Sequence, residues 1–259
     1  LRDRINMIDS FPLICGSIMS KKIAEGIEGL VLDIKTGNGA FMKDYKTAID
    51  LGALLKKIGE LNGIKVEVVV TDMNQPLGFY SGVGVEVLES IESLKGNGPL
   101  DLMRVVYYLA ERIISLFEKD VNPKKLRNLI DNGSAYEVFI KMVEAHGGSI
   151  NSFKKMRYQS PKFNYTLSSS SDGYLSSFDT LRIGELLSEI GAGTFRNNDG
   201  IDNYAGLRVY KKISDCVVKD EPILKFYCSS EKKINNLRKI TDSLFKVSES
   251  HIDGQKLIY

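Results

Sequence analysis

Gly29-Leu30-Val31-Leu32-Asp33-Ile34-Lys35-Thr36-Gly37-Asn38-Gly39-Ala40-Phe41-Met42 is the stretch that decides the fold. Its first six residues are a mostly apolar run of β-formers, and the remainder is a polar, glycine-bearing loop, the way a buried parallel strand ends. Val66 to Val70 repeats the pattern and runs into Thr71-Asp72-Met73-Asn74-Gln75-Pro76-Leu77-Gly78. Between the two, Tyr45 to Leu61 places Ile49, Ala53, Leu54 and Ile58 at helical spacing, turns Lys56 and Lys57 outward and stops at Asn62-Gly63. Strand, helix and strand make a βαβ unit. In such units ligands sit beyond the carboxyl ends of the strands, so the loops at 35–41 and 71–77 are where chemistry is expected.

Outward from this unit, residues 12–25 carry Pro12 near the start, Ile14, Ile18 and Ile23 at helical spacing, and Gly26 just past the end. The spacing predicts three more helices at 83–94, 102–117 and 134–145, separated by Gly96-Asn97-Gly98-Pro99 and Asn132-Gly133. After about residue 160 the texture changes to serine, tyrosine and short runs such as Tyr174-Leu175-Ser176 and Ile223 to Cys228. A second, β-containing domain is expected there, with a helix at Leu181 to Ile190. No fixed-period repeat occurs, and Ser168 to Ser171 reads as a loop.

Composition narrows the function. Of the 259 residues, 43% are hydrophobic, enough for a buried core. The 35 basic and 33 acidic residues leave a net charge of +2, too weak a field to attract nucleic acid or an anionic membrane. A small-molecule site is favoured. Cys15, Cys216 and Cys228 are too scattered for a metal knuckle and too few to staple a secreted fold, which fits a reducing, cytoplasmic setting. The two histidines, His146 and His251, have no second ligand at metal spacing and cannot build a Ser-His-Asp triad with ease. No stretch approaches the ~20 apolar residues of a membrane span, and no signal-like segment opens the chain.

The loop from Lys35 to Met42 lets backbone approach a ligand closely, although a plain tight turn explains it equally well. It has neither the full Rossmann spacing nor the Walker Gly-Lys-Ser/Thr. Ser17 and Lys21 lie four apart on the first predicted helix, in one row with Ile14, so both point the same way. A lysine laid along the core edge and snorkelling to water accounts for that row as well. Arg2, a fixed fork of donors, leads into the same helix and adds a third donor for a planar ligand rich in acceptors. Glu89 reads either as a solvated carboxylate or as one turned back toward the carbonyls of the preceding loop to hold a cation.

Several colinear blocks together resemble one family: Leu1-Arg2-Asp3, Asp9-Ser10-Phe11-Pro12-Leu13-Ile14, Ser17-Ile18-Met19-Ser20-Lys21-Lys22, Lys35 through Met42 and Thr71 through Gly78. In order and spacing they are similar to the thymidine and pyrimidine-nucleoside phosphorylases, and the resemblance continues through Asp172-Gly173-Tyr174 and Asp179-Thr180. It implies an α/β protein: a small helical domain represented by residues 1–26, a central α/β phosphorylase domain at 27–158 with a mixed or parallel sheet, and a C-terminal α+β domain at 159–259. It also implies a homodimer that closes on its substrate. The implied reaction is reversible phosphorolysis, in which inorganic phosphate attacks C1′ of thymidine, uridine or deoxyuridine and releases the free base and (deoxy)ribose 1-phosphate. Carried over by position, the base-binding residues are Arg2, Ser17 and Lys21. Some relatives hold a monovalent or calcium-like cation through groups that fall on Leu77, Tyr80 and Glu89, with Tyr80 larger than the usual residue; no cofactor is required.

The family's phosphate loop, its lysine and serine phosphate contacts and its proposed histidine acid fall upstream of Leu1. The sequence is therefore expected to be an incomplete form, with no phosphate-binding or certain catalytic residue of its own and no phosphorolysis when alone. Two alternatives stand beside this expectation. One is an anthranilate phosphoribosyltransferase-like enzyme, which shares the two-domain fold but lacks an extension like the one after residue 160. The other is a non-catalytic remnant or binding scaffold.

Overall fold

The structure is a computed structural model that describes residues 10–118, 120–157, 161–193, 200–239 and 244–259. In chain order the elements are α1 (Phe11–Ala24), β1 (Gly29–Thr36), α2 (Tyr45–Leu61), β2 (Lys65–Asp72), β3 (Tyr80–Ser81) and α3 (Val83–Glu92). A π-helical turn at Ser93–Asn97 leads to α4 (Leu100–Ser115), α5 (Pro123–Asp131), α6 (Ser134–Ala145) and α7 (Ile150–Arg157). The remainder is β4 (Phe163–Ser168), β5 (Gly173–Phe178), α8 (Thr180–Ile190), β6 (Gly206–Val209), β7 (Cys216–Val217), β8 (Pro222–Cys228), α9 (Glu231–Leu237) and β9 (Phe245–Ser248). The chain is thus a mixed α/β protein, as its patterning predicts.

The chain divides into two compact units. The first is assembled from Leu1–Met73, Arg104–Leu126 and Lys256–Tyr259, and the second from Asn74–Met103 and Arg127–Gln255. Both are discontinuous in sequence: the chain passes between them four times, after Met73, inside α4, inside α5 and after Gln255.

In the first unit β1 and β2 pair in parallel from Gly29↔Lys65 to Thr36↔Asp72, the βαβ arrangement expected from their apolar runs. Asp44 starts α2 by accepting the Thr47 N–H at 2.9 Å, and Leu51 and Leu55 of its inner face are buried. The helix lies close to β2 because two glycines face it. A Cβ on Gly52 would meet Val68 Cγ1 at 2.6 Å, and one on Gly59 would meet Val66 Cγ2 at 2.4 Å. Ile14, Cys15 and Met19 of α1 complete this core, which also holds Ile34, Met42 and Val70. On the other edge of β2 a tail segment adds backbone pairs: the Asp72 N–H donates to Leu257 O at 3.0 Å, and the Tyr259 N–H to Val70 O at 2.9 Å.

The second unit carries two antiparallel sheets, of order β3-β6-β8-β4 and β7-β5-β9. Leu207, Val209, Leu224, Phe226 and Cys228 alternate inward along β6 and β8 and are buried with Ile183, Leu186 and Ile190 of α8 and Ile234 of α9. Asp179 caps α8 by accepting the Arg182 N–H at 3.0 Å, and Gly191, left-handed at φ 99°, ends it. This glycine is the break seen in the sequence as Gly191-Ala192-Gly193.

Candidate functional site

The carboxyl ends of β1 and β2 are stitched together by their loops. Gly39 N–H donates to Met73 O at 3.1 Å, and Met73 N–H donates to Thr36 O at 2.7 Å. Beneath them Lys35 Nζ reaches Asp33 Oδ2 at 2.6 Å and Thr71 Oγ1 at 2.8 Å, while the Thr71 hydroxyl donates to Asp33 Oδ1 at 2.6 Å. Thr36 Oγ1 is buried with no hydrogen-bond partner among the described residues. The strand-end loops flagged by the sequence therefore form one continuous rim in which lysine, threonine and aspartate fix each other.

Of the three base-binding candidates, Arg2 lies outside the described residues. Ser17 and Lys21 both lie on α1, and their row runs from core to water: Ile14 is buried, Ser17 half-buried and Lys21 exposed. A serine hydroxyl and an ammonium one turn apart on a helix are two donors with one facing direction. The basic residues Lys21 and Lys22 also stand in the last turn of α1, where the carbonyl end of the helix favours positive charge.

In the second unit the segment 75–80 is held by hydrogen bonds to its backbone and to the Gln75 side chain. Gly78 N–H donates to Asp101 Oδ2 at 3.1 Å, Phe79 N–H to Glu89 Oε1 at 2.8 Å, and Ile213 N–H to Gln75 Oε1 at 2.9 Å. Lys212 Nζ donates to Pro76 O at 2.6 Å and to Gly78 O, and pairs with Asp101 Oδ2 at 2.8 Å. The residues named for a cation by resemblance, Leu77, Tyr80 and Glu89, all belong to this segment or to the helix that closes on it. Burial pushes the Glu89 carboxyl up, against the N–H groups of Phe79 and Tyr80 and the charge of Lys212, which favour its ionised form. Among the described residues, no three His, Cys, Asp or Glu side chains gather as a metal cluster.

The same loop forms one wall of a cavity of about 560 Å³ in the second unit, lined by Phe79, Tyr80, Glu89, Arg208, Tyr210 and Tyr227 among others. Strand register explains the lining: Tyr80 faces Arg208 across β3 and β6, and Arg208 faces Lys225 across β6 and β8, so all three share one sheet face. The Arg208 guanidinium lies over Tyr210 at 4.6 Å and Tyr80 at 5.7 Å. Burial drives the Tyr227 phenol far above its ordinary pKa, with the Tyr80 charge adding and the Arg208 charge opposing.

Sequence reading misses Lys212, Asp101, Arg208 and Tyr227. Lys212 meets Pro76 across 136 positions, and no local pattern distinguishes Lys211-Lys212 from an exposed basic pair. Arg208 and Tyr227 do obey strand alternation, but β6 has only four residues, too few for a period to be read.

A parallel βαβ unit with a hydrogen-bonded rim of loops, followed by antiparallel sheets, defines an α/β protein with polar loops at its strand ends. Comparison with known proteins makes the class specific. Residues 174–248, from β5 through β9, match the family described as "Pyrimidine nucleoside phosphorylase C-terminal domain". The chain is 37% identical over 261 residues to a thymidine phosphorylase of Metamycoplasma hominis, covering 98% of this chain and 95% of that protein. It is 34% identical to the pyrimidine-nucleoside phosphorylase of Geobacillus stearothermophilus and 36% identical to that of Bacillus subtilis. In both cases all of this chain aligns, and it spans 61% and 60% of those relatives. The chain belongs to the thymidine and pyrimidine-nucleoside phosphorylase family.

Proposed function

We propose that this chain carries the pyrimidine-binding part of a nucleoside phosphorylase, a pentosyltransferase that cleaves thymidine, uridine or deoxyuridine with inorganic phosphate. The observation that carries the reading is full-length colinearity with a relative named thymidine phosphorylase, together with Ser17 and Lys21 one turn apart on α1. As the glycosidic bond breaks, the pyrimidine gathers negative charge on O2, N3 and O4. Donors fixed in advance at those atoms stabilise the departing base more than the bound nucleoside, which lowers the barrier. Arg2, Ser17 and Lys21 are assigned that role, with the guanidinium and ammonium supplying charge and the serine a neutral donor.

In this reading residues 1–26 belong to the small helical domain, 27–158 to the central α/β domain and 159–259 to the C-terminal domain. The protein works as a cytoplasmic homodimer. No helix among the described residues is long and apolar enough to cross a membrane. No phosphate-binding residue is assigned within residues 1–259.

The test is phosphate-dependent release of thymine from thymidine, and of uracil from uridine, by the protein at its natural length. Arg2→Ala, Ser17→Ala and Lys21→Ala are each expected to lower kcat by a factor on the order of 10²–10³, the scale for losing one transition-state donor. Full activity in all three variants would remove the base-binding assignment. No base release by the natural-length protein would leave a binding scaffold.

A further inference from the structure

Two carbonyl oxygens of the loop at residues 76–79, those of Pro76 and Gly78, and the Asp101 carboxylate converge on Lys212 Nζ. The ammonium meets Pro76 O at 2.6 Å, Gly78 O, and Asp101 Oδ2 at 2.8 Å, and the Phe79 ring centroid lies 5.7 Å away. The Lys212 side chain is 17% exposed and that of Asp101 25%, so the pair is largely withdrawn from water.

Main-chain carbonyls and a carboxylate around a desolvated positive charge are the ligands from which proteins build alkali and alkaline-earth cation sites. We propose that the 76–79 loop is such a cation site and that its resident cation is the chain's own Lys212 ammonium, so that the loop folds without a metal ion.

Three features decide for the ammonium. An ammonium has three N–H donors, and the site offers three oxygen acceptors, so every donor and acceptor pairs. The Asp101 contact at 2.8 Å has the length of a charge-assisted N–H···O bond, about 2.7–2.9 Å, and the Pro76 contact at 2.6 Å is slightly shorter. Calcium takes six to eight oxygens at about 2.3–2.6 Å, and the remaining nearby carboxylate, Glu89, already accepts the Phe79 N–H at 2.8 Å.

The consequence reaches the wall of the cavity. Asp101, which neutralises the ammonium, also takes Gly78 N–H, and the neighbouring Glu89 takes Phe79 N–H. Lys212 is therefore a positioning residue for the peptide that presents Phe79 and Tyr80.

The inference is independent of the phosphorylase reading, because its readout is stability. Melting of the natural-length protein is measured at equal ionic strength in sodium, potassium, ammonium and calcium chloride, and after EDTA. The wild type is expected to melt at one temperature in all of them. Lys212→Met leaves Pro76 O, Gly78 O and the Asp101 carboxylate unpaired; it is expected to melt roughly 5 °C lower in sodium and to recover part of that loss, saturably, in potassium or ammonium. A wild type that gains stability from calcium or potassium, or loses it in EDTA, overturns the proposal. So does a Lys212→Met protein that melts with the wild type. Should Lys212→Met not fold, the wild-type series decides by itself.

Discussion

Gly78 turns the loop beneath Lys212 with φ at 70°, and a Cβ there would lie 2.4 Å from Glu89 Oε2. Left-handed backbone costs a non-glycine residue about 1–3 kcal/mol, and the clash falls on a carboxylate already held by the Phe79 N–H. Gly78→Ala is accordingly expected to lower stability by about 1–3 kcal/mol, read from the denaturant midpoint. Glu89 itself gives a pH signature. Its folded-state pKa is raised by burial, so it binds a proton more tightly folded than unfolded. Its contribution to stability is present below the ordinary glutamate range and is lost as pH rises through the elevated value. Glu89→Gln keeps an acceptor for Phe79 N–H, and its stability should vary less than the wild type's across that mildly acidic interval. Thiol reactivity provides a further residue-scale check. Cys216 is exposed, whereas Cys15 and Cys228 are buried and their thiols are pushed up by that burial. Native protein should titrate one fast thiol with Ellman's reagent and all three after unfolding; fast reaction at Cys15 would contradict the packing of α1.

Helix α2 packs against β2 through absences, since Gly52 and Gly59 face Val68 and Val66. Alanine at either position gains about 1 kcal/mol of helix propensity, whereas overpacking costs about 1–3 kcal/mol. The clash is backed by a buried strand, so overpacking should win. Gly52→Ala and Gly59→Ala are each expected to destabilise, and a stabilised variant would mean that the helix lifts away freely. The contrast shows what the sequence makes legible at this scale. Residues Tyr45–Leu61 form one helix and Gly29–Thr36 a strand, as their apolar runs predict, but the buried face of the helix is Ala48, Leu51 and Leu55, while Ile49 and Ala53 of the predicted row are exposed. Helix α3 ends at Glu92, not Leu94, since the chain enters a π turn with Gly96 at φ 87°. The two-residue strands β3 and β7 exist through their partners, and the seven-residue α9 is too short to show a clear period, whereas α5 does carry a stripe of Leu126, Leu129 and Ile130 that sequence reading passes over. The site divides the same way. The strand-end loops and the Ser17–Lys21 row follow from spacing, while Lys212, Asp101 and Arg208 acquire meaning when distant segments meet.

On the scale of the whole molecule, the first compact unit is drawn from three separated stretches, and its strand β2 is flanked on one side by β1 and on the other by the tail. Deleting Lys256–Tyr259 removes the acceptor for the Asp72 N–H and the donor to Val70 O. Amide exchange at Asp72 should then quicken by orders of magnitude, while the buried amides of β8 in the other unit keep their protection. Equal loss in both units would mean that they unfold as one.

That tail pairing also sets a schedule. Chains are made from the N-terminus at about 5–20 residues per second, and Ile258 reaches the ribosome about 190 residues after its neighbour Thr71. The edge of β2 therefore waits through most of synthesis with its amides open, a stage at which holding chaperones or a second nascent chain compete for the place that the tail later takes.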